Sequence, residues 1–89
     1  MPRVIVPVAC RGPTLGEGEV DVAGSTVGEC LDGVGRRYPG FAELIFDDAG
    51  RVHRFVTLFV NGDEIARQGL DVVVADSDRV EILAAIAGG

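Results

Sequence analysis

The chain has 89 residues, of which 47% are hydrophobic, enough for one domain with a modest core. Its formal net charge is −6, and its eight basic residues are all arginines scattered along the chain. Because a nucleic-acid-binding surface needs a basic stripe or cluster, we expect no nucleic-acid partner. No signal peptide is recognisable and no apolar run approaches the roughly 20 residues of a membrane helix, so we expect a cytoplasmic chain without membrane contact.

Two strands are predicted in the first quarter of the chain. Residues 3–9 alternate, with Val4, Val6 and Val8 on one face, although Pro7 cannot donate to a strand ladder. Residues 19–23 alternate in the same way after a glycine-rich turn.

A helix follows the second strand. Thr26 and Glu29 have the spacing of a capping box, which marks a helix N-terminus. An apolar stripe at helical spacing continues from there: Val27, Cys30, Leu31, Val34 and Tyr38. Pro39-Gly40 ends this helix, and residues 41–45 predict one further helical turn.

The second half of the chain predicts three more strands. Residues 52–60 give the strongest strand pattern, and Asn61-Gly62 suits a tight turn with positive φ. Residues 64–66 predict a short return strand, and residues 80–85 predict the last one. This order predicts an α+β, β-grasp (ubiquitin-like) fold over residues 1–85, with a mixed four- to five-stranded sheet and one main helix across one face.

The predicted last strand is followed by a flexible tail, residues 86–89, which reads Ile86-Ala87-Gly88-Gly89. Glycine has no Cβ, so Gly88 and Gly89 can enter a channel too narrow for any side chain. The group that they would deliver there is the α-carboxylate of Gly89, which becomes an electrophile only after activation.

Three stretches resemble the ubiquitin-like sulfur carriers of the ThiS/MoaD family, most closely the CysO-type branch. Residues 52–64 resemble the family's third strand and turn, residues 75–83 its approach to the last strand, and residues 85–89 its terminal A-[VL]-A-G-G motif. The sequence departs from the family pattern at Ser77, where glycine is usual, and at Ala84, where proline is common.

The resemblance implies a protein co-substrate and not an enzyme. A ubiquitin-activating-type (MoeB/ThiF-like) partner would use ATP to adenylate Gly89, and sulfide or a persulfide would displace AMP to leave a thiocarboxylate. No catalytic residue, metal ligand or bound cofactor is expected on this chain, and a monomer is expected when it is free. Ala87 and Gly88 belong to the tail that the activating enzyme would admit.

The resemblance leaves the sulfur acceptor open. The segment His53-Arg54-Phe55 favours cysteine biosynthesis, with a cysteine synthase homologue as acceptor enzyme and a metalloprotease that releases the product. The alternatives are the large subunit of molybdopterin synthase, or a secondary-metabolite pathway. A ubiquitin-like protein modifier and an interaction domain with an inert tail are further readings of the same residues.

A partner-docking patch is predicted on the sheet face opposite the helix. In a domain with one sheet and one helix, that face is open to water. The residues assigned to the patch are Phe55, Phe59, Leu83 and Ile86, with Ile5 as a possible addition.

The remaining reactive side chains are interpreted structurally. Cys10 and Cys30 have no partner motif and are expected to be reduced and partly buried, with Cys30 in the core. His53 is expected to be a surface strand residue, since no second ligand lies near it in sequence. Asp76 and Asp78 are expected to cap a turn, because the calcium-loop pattern is absent.

Overall fold

The structure, a computed structural model, describes residues 1–85. Five strands form one mixed sheet in the order β2-β1-β5-β3-β4. The strands are β1 (Arg3–Ile5), β2 (Glu19–Asp21), β3 (Val56–Val60), β4 (Asp63–Glu64) and β5 (Arg79–Ala84). The helices are α1 (Val27–Arg37) and α2 (Phe41–Ile45). This element order confirms the predicted β-grasp fold.

The sheet is mixed because β5 lies between two strands of opposite sense. β1 pairs with β5 in parallel and β3 pairs with β5 antiparallel, while β2 and β4 occupy the edges. Both edge pairs, β1–β2 and β3–β4, are antiparallel. The strand that ends the described chain is therefore the central one.

The core lies between one face of the sheet and α1. The predicted stripe is confirmed, since its first four members are buried and Tyr38 packs against them. Alternate sheet residues meet this stripe from the other side: Val4, Val20, Val56, Leu58, Val80 and Ile82. Phe41 and Ile45 from α2 close one end of the core.

The start of α1 confirms the predicted capping box in a shifted form. The backbone N–H of Glu29 donates to Thr26 Oγ1 at 3.2 Å. The carboxylate of Glu29 accepts from the backbone N–H of Ser25 at 2.8 Å, one residue before the N-cap. The backbone N–H groups of Val27 and Gly28 donate to the carbonyls of Val72 and Leu70, at 3.0 Å and 2.8 Å. The first three N–H groups of the helix, which have no partner within a helix, are therefore all hydrogen-bonded.

One glycine of α1 lies where another segment approaches closely. A Cβ at Gly28 would stand 3.1 Å from the carbonyl oxygen of Leu70, tighter than ordinary packing. Glycine has a low helix propensity, but its missing Cβ allows the backbone at Leu70 to approach α1 this closely.

The predicted strands differ from the observed ones in their bounds: residues 19–23 shorten to Glu19–Asp21, residues 64–66 shift to Asp63–Glu64, residues 80–85 shift to Arg79–Ala84, and the two longest predictions lose four residues each. β1 ends at Ile5, because Pro7 has no N–H for the ladder, and the chain turns into a short 3-10 helix, Val8–Cys10. Val8, predicted on one face with Val4 and Val6, is 76% exposed, whereas Val4 and Val6 are buried. β3 begins at Val56 and not at Val52, which forms only an isolated bridge with Phe46.

The Asn61-Gly62 turn is confirmed, with φ of 51° and 87° at its two central residues. Within residues 1–85, neither helix is long and apolar enough to cross a membrane.

Candidate functional site

The candidate site is the end of β5 and the open sheet face around it. β5 has a neighbour on each side: β1 pairs with residues 79–81 and β3 pairs with residues 80–84. The predicted tail residues Ile86, Ala87, Gly88 and Gly89 lie outside the described residues. The site is therefore described up to Ala85.

The exit of the chain is fixed by one hydrogen bond beyond β5. The N–H of Ala85 donates to the carbonyl oxygen of Phe55 at 2.9 Å, which extends the ladder past the Val56–Ala84 pair. The backbone is thus held until the residue before Ile86. The direction in which the chain leaves the sheet is set by β3.

The entry to β5 is fixed by side chains. Asp78 accepts from the backbone N–H of Ala75 at 2.7 Å and from the Asn61 amide at 2.8 Å. Asn61 in turn accepts from the backbone N–H of Arg79 at 2.9 Å. The bond from Ala75, and then the bond from Asn61, lower the pKa of the Asp78 carboxyl. The predicted turn at residues 76–78 is confirmed, but sequence reasoning missed its link to the Asn61-Gly62 turn.

The open sheet face brings two of the predicted docking residues together. In an antiparallel pair, directly opposed residues share a face, which places Leu83 beside Thr57 and Phe59 beside Glu81. Leu83 is 56% exposed and Phe59 is half-buried. Ile5 lies on the other side of Glu81, in the parallel pair. We call Ile5, Phe59 and Leu83 the open-face patch.

Sequence reasoning missed the carboxylate inside this patch. Glu81 is exposed and stands between Ile5 and Phe59, so the apolar surface is interrupted at its middle. A partner that covers the patch must therefore supply a polar or basic group opposite Glu81, because a buried unpaired carboxylate is costly.

Phe55 differs from the other predicted docking residues. It lies in the turn before β3, is half-buried and packs against the core cluster. Its ring stacks on His53 with centroids 4.7 Å apart and an interplanar angle of 15°. His53 itself closes this turn, since its carbonyl accepts from Val56 N–H at 3.0 Å. The stacked rings of His53 and Phe55 therefore lie close to the point where the chain leaves β5.

The far end of the open face is polar. Arg3 on β1 donates to Asp21 at 2.9 Å and to Glu19 at 3.2 Å, both on the edge strand β2. The hydrogen bond from Arg3 lowers the pKa of the Asp21 carboxyl. Charged residues on an edge strand discourage pairing with another chain. The apolar part of the face is thus confined to the end where the tail leaves.

The two cysteines are buried completely, more than the sequence predicts. Burial raises the pKa of both thiols, and the nearby Glu29 carboxylate adds to the effect at Cys30. A buried neutral thiol is a poor nucleophile, so neither side chain offers surface chemistry in this state. Among the described residues, no group of three or more His, Cys, Asp or Glu side chains is placed to hold a metal ion.

Comparison with known proteins identifies relatives over nearly the whole chain. The sulfur carrier protein CysO of Mycobacterium tuberculosis (strain ATCC 25618 / H37Rv) is 36% identical over 89 residues, which cover 97% of this chain and 96% of that protein. The crystal structure of Mycobacterium tuberculosis CysO matches with a TM-score of 0.86 and 32% identity, covering 97% of this chain and 100% of that one.

A second solved relative is the CysO in the crystal structure of the Amycolatopsis orientalis BexX/CysO complex. It matches with a TM-score of 0.85 and 36% identity, and the match covers 100% of both chains. Residues 9–89 also match the sequence profile of the ThiS family. The chain therefore belongs to the ThiS family.

Proposed function

We propose that this chain is a sulfur carrier of the CysO type, and that its working group is the carboxylate of Gly89. The observation that supports this most is the 36% identity to a sulfur carrier protein along 97% of the chain. The structure is consistent with such a role, because the central strand leads directly from the core to residues 86–89. We propose that these four residues form the tail that a partner enzyme admits.

The proposed chemistry takes place on the tail inside partner enzymes. The Gly89 carboxylate attacks the α-phosphate of ATP, which releases pyrophosphate and leaves an acyl adenylate. Sulfide then adds to the acyl carbon, the carbon–oxygen bond to AMP breaks, and a thiocarboxylate remains. With a persulfide donor the first product is an acyl disulfide, and a thiol must cleave its sulfur–sulfur bond.

The body of the protein contributes positioning to this chemistry. The Ala85–Phe55 hydrogen bond fixes where the tail begins, and the Asn61–Asp78 contacts fix where its strand begins. We propose that Phe59 and Leu83, with Phe55 and Ile86, dock the activating enzyme, so that the tail is presented in one orientation. Because the partner supplies the catalytic groups and the nucleotide site, the carrier acts as a co-substrate.

The proposed acceptor is an activated serine bound to a cysteine synthase homologue. The thiocarboxylate sulfur would replace the leaving group on the serine β-carbon, which gives a thioester. The amine of the new cysteine would then attack the acyl carbon and displace the thiolate, so that cysteine is attached to Gly89 by a peptide bond. A metalloprotease would then release the amino acid and regenerate the Gly89 carboxylate. The likeness to CysO is the support for this choice of acceptor.

The activation step is tested by intact mass spectrometry. The chain is incubated with a ThiF-type activating enzyme from the same genome, ATP and sulfide. The expected result is a mass increase equal to the difference between sulfur and oxygen. Deletion of Gly89 is expected to abolish it while leaving the melting temperature unchanged. The matched control is Gly12→Ala, because a Cβ at Gly12 meets no atom within 4 Å. A mass unchanged by ATP and sulfide would contradict the proposal.

The acceptor is tested on the purified thiocarboxylate. With the cysteine synthase homologue and an activated serine, the product is expected to be heavier than the unmodified carboxylate form of the carrier by one cysteine residue, since the sulfur is already present in the thiocarboxylate. Transfer of the sulfur to a large molybdopterin synthase subunit, without formation of this adduct, would contradict the proposed acceptor. Residues 80–89 joined to lysines of other proteins after digestion with trypsin, which cleaves behind Arg79, would identify a protein modifier instead.

A further inference from the structure

A groove at the base of the tail is lined by three of the eight arginines of the chain. It runs along the segment before β3 and the segment after β4. We call Arg51, Arg54 and Arg67 the basic groove. Phe55 lines the same groove, and its carbonyl holds the N–H of Ala85. Phe55 therefore links the basic groove to the point where the tail leaves the body, since its side chain lines the groove and its carbonyl binds Ala85.

Tertiary contacts bring the two sides of this groove together. The side-chain amide of Gln68 donates to the carbonyl of Val52 at 3.1 Å and accepts from its N–H at 3.2 Å. Arg67 Nε donates to the carbonyl of Val56 at 3.2 Å. These three bonds hold residues 67–68 against residues 52–56, so the groove is a fixed feature of the fold.

The positive charge in the groove is only partly balanced, since Asp47 is the one carboxylate among its lining residues. Among residues 1–85, none of the three guanidinium groups makes an ion pair, whereas Arg3 makes two. Asp47 also lines the groove, but one of its carboxylate oxygens already accepts from the backbone N–H groups of Ala49 and Arg51. Three arginines against one carboxylate leave the groove with a net positive charge, in a chain whose own net charge is −6.

We propose that the basic groove binds an acidic rim around the tail channel of the activating enzyme. This inference rests on the proposed function. A partner that admits residues 86–89 must place its surface against the base of the tail, which is where the groove lies. Carboxylates on that surface would meet the unpaired guanidinium groups, and the His53–Phe55 ring pair would supply an apolar contact beside them.

The groove suits a protein surface better than a small anion. Arg51 and Arg54 are exposed side chains that line an open groove. Complementary charge at such a rim mainly speeds association and orients the partner. In this arrangement the basic groove would steer the encounter, and the open-face patch would hold the complex.

The test variant is Arg51→Gln/Arg54→Gln, with Arg67 left intact because it bonds to the backbone of β3. The matched control is Arg36→Gln/Arg37→Gln, which removes the same charge from the last turn of α1. Since Arg37 also donates to the carbonyl of Asp21 at 3.4 Å, the melting temperature of the control is measured as well. Adenylation by the activating enzyme is monitored through the release of pyrophosphate. KM and kcat for the carrier are determined in about 50 mM and about 500 mM NaCl.

At low salt, the test variant is expected to raise KM for the carrier about tenfold with kcat unchanged, and the difference is expected to collapse at high salt. The control is expected to stay within about twofold of the unmodified chain, since rim charges act only where they face the partner. Arg51→Lys/Arg54→Lys, which keeps the charge, is expected to have a KM for the carrier close to that of the unmodified chain.

Three results would overturn the inference: equal KM values for test and control, a difference that survives high salt, or a change in KM for ATP instead of the carrier. The last result would point to a nucleotide contact. If the unmodified chain is not adenylated at all, the proposed function fails, and that outcome is visible before any variant is compared.

Discussion

Replacing Leu83 by threonine tests the docking role of the open-face patch. Leu83 lies on the central strand and is 56% exposed, while threonine keeps the preference for a strand. Most of the side chain is already in water in the free protein. We therefore expect the substitution to leave the fold intact and to weaken the complex.

The expected size of the effect follows from the exposed fraction. Complete burial of a leucine contributes about 1.5–3 kcal/mol, and 56% of this, about 0.8–1.7 kcal/mol, remains available to a partner at Leu83. Since 1.4 kcal/mol corresponds to a factor of ten, the dissociation constant should rise about 4- to 17-fold.

The measurement is isothermal titration of the activating enzyme with the carrier, together with the melting temperature of each carrier. The control is Val73→Thr, because Val73 is 77% exposed and pairs with Thr26 at the start of α1, away from the exit of the tail. A dissociation constant for Leu83→Thr equal to that of the control would refute the docking role. A large fall in melting temperature would refute the argument from exposure.

Three further outcomes are expected. Gly28→Ala should destabilise the domain in chemical denaturation despite the better helix propensity of alanine, because its Cβ would stand 3.1 Å from the backbone oxygen of Leu70; a gain in stability would show that the crossing segment yields easily. Asp78→Ala should reduce the loss of stability at acid pH. Because its pKa is lowered in the folded protein, the Asp78 carboxylate stabilises the fold above its unfolded pKa of about 3.9, and this contribution is lost as the pH falls through the folded pKa. Equal profiles of stability against pH for the two proteins would contradict this role. Cys10 and Cys30 should resist alkylation at pH 8 in the native protein and react once it is unfolded, since both are buried with raised pKa values; rapid labelling of the native protein would show that the core opens.

Local signals in the sequence predict much of this fold. The capping box at Thr26 and the stripe that follows it give α1 its start and its buried face. The Asn61-Gly62 dipeptide gives the turn between β3 and β4, because both central residues need positive φ. These features depend on neighbours within a few residues, so they can be read without knowledge of the tertiary structure.

Strand length is not encoded locally. Residues 52–60 form one apolar run, but β3 can pair with β5 only as far as the strand partner extends, and the chain before Val56 turns through His53 instead. At the other end of the sheet, Pro7 indicates a break that the alternation of valines conceals. In both places a backbone hydrogen-bond partner decides the outcome, and the side-chain pattern does not.

The candidate site is predicted only in part for the same reason. Phe59 and Leu83 come together as expected, because they lie on strands that the pattern identifies. Glu81 in the middle of the patch could have been found from its alternation with Leu83. The approach of Arg67 to Arg54 could not, since it depends on the contact between the Gln68 side chain and the Val52 backbone.

The central position of β5 has a mechanical consequence. A force applied to the chain beyond Ala85 along the axis of β5 would act in shear on the ladders to β1 and β3 together. To peel β5 away one bond at a time, the force would have to act across the sheet. If a partner draws on the tail as proposed, we therefore expect the body to stay folded while the carrier passes from one enzyme to the next.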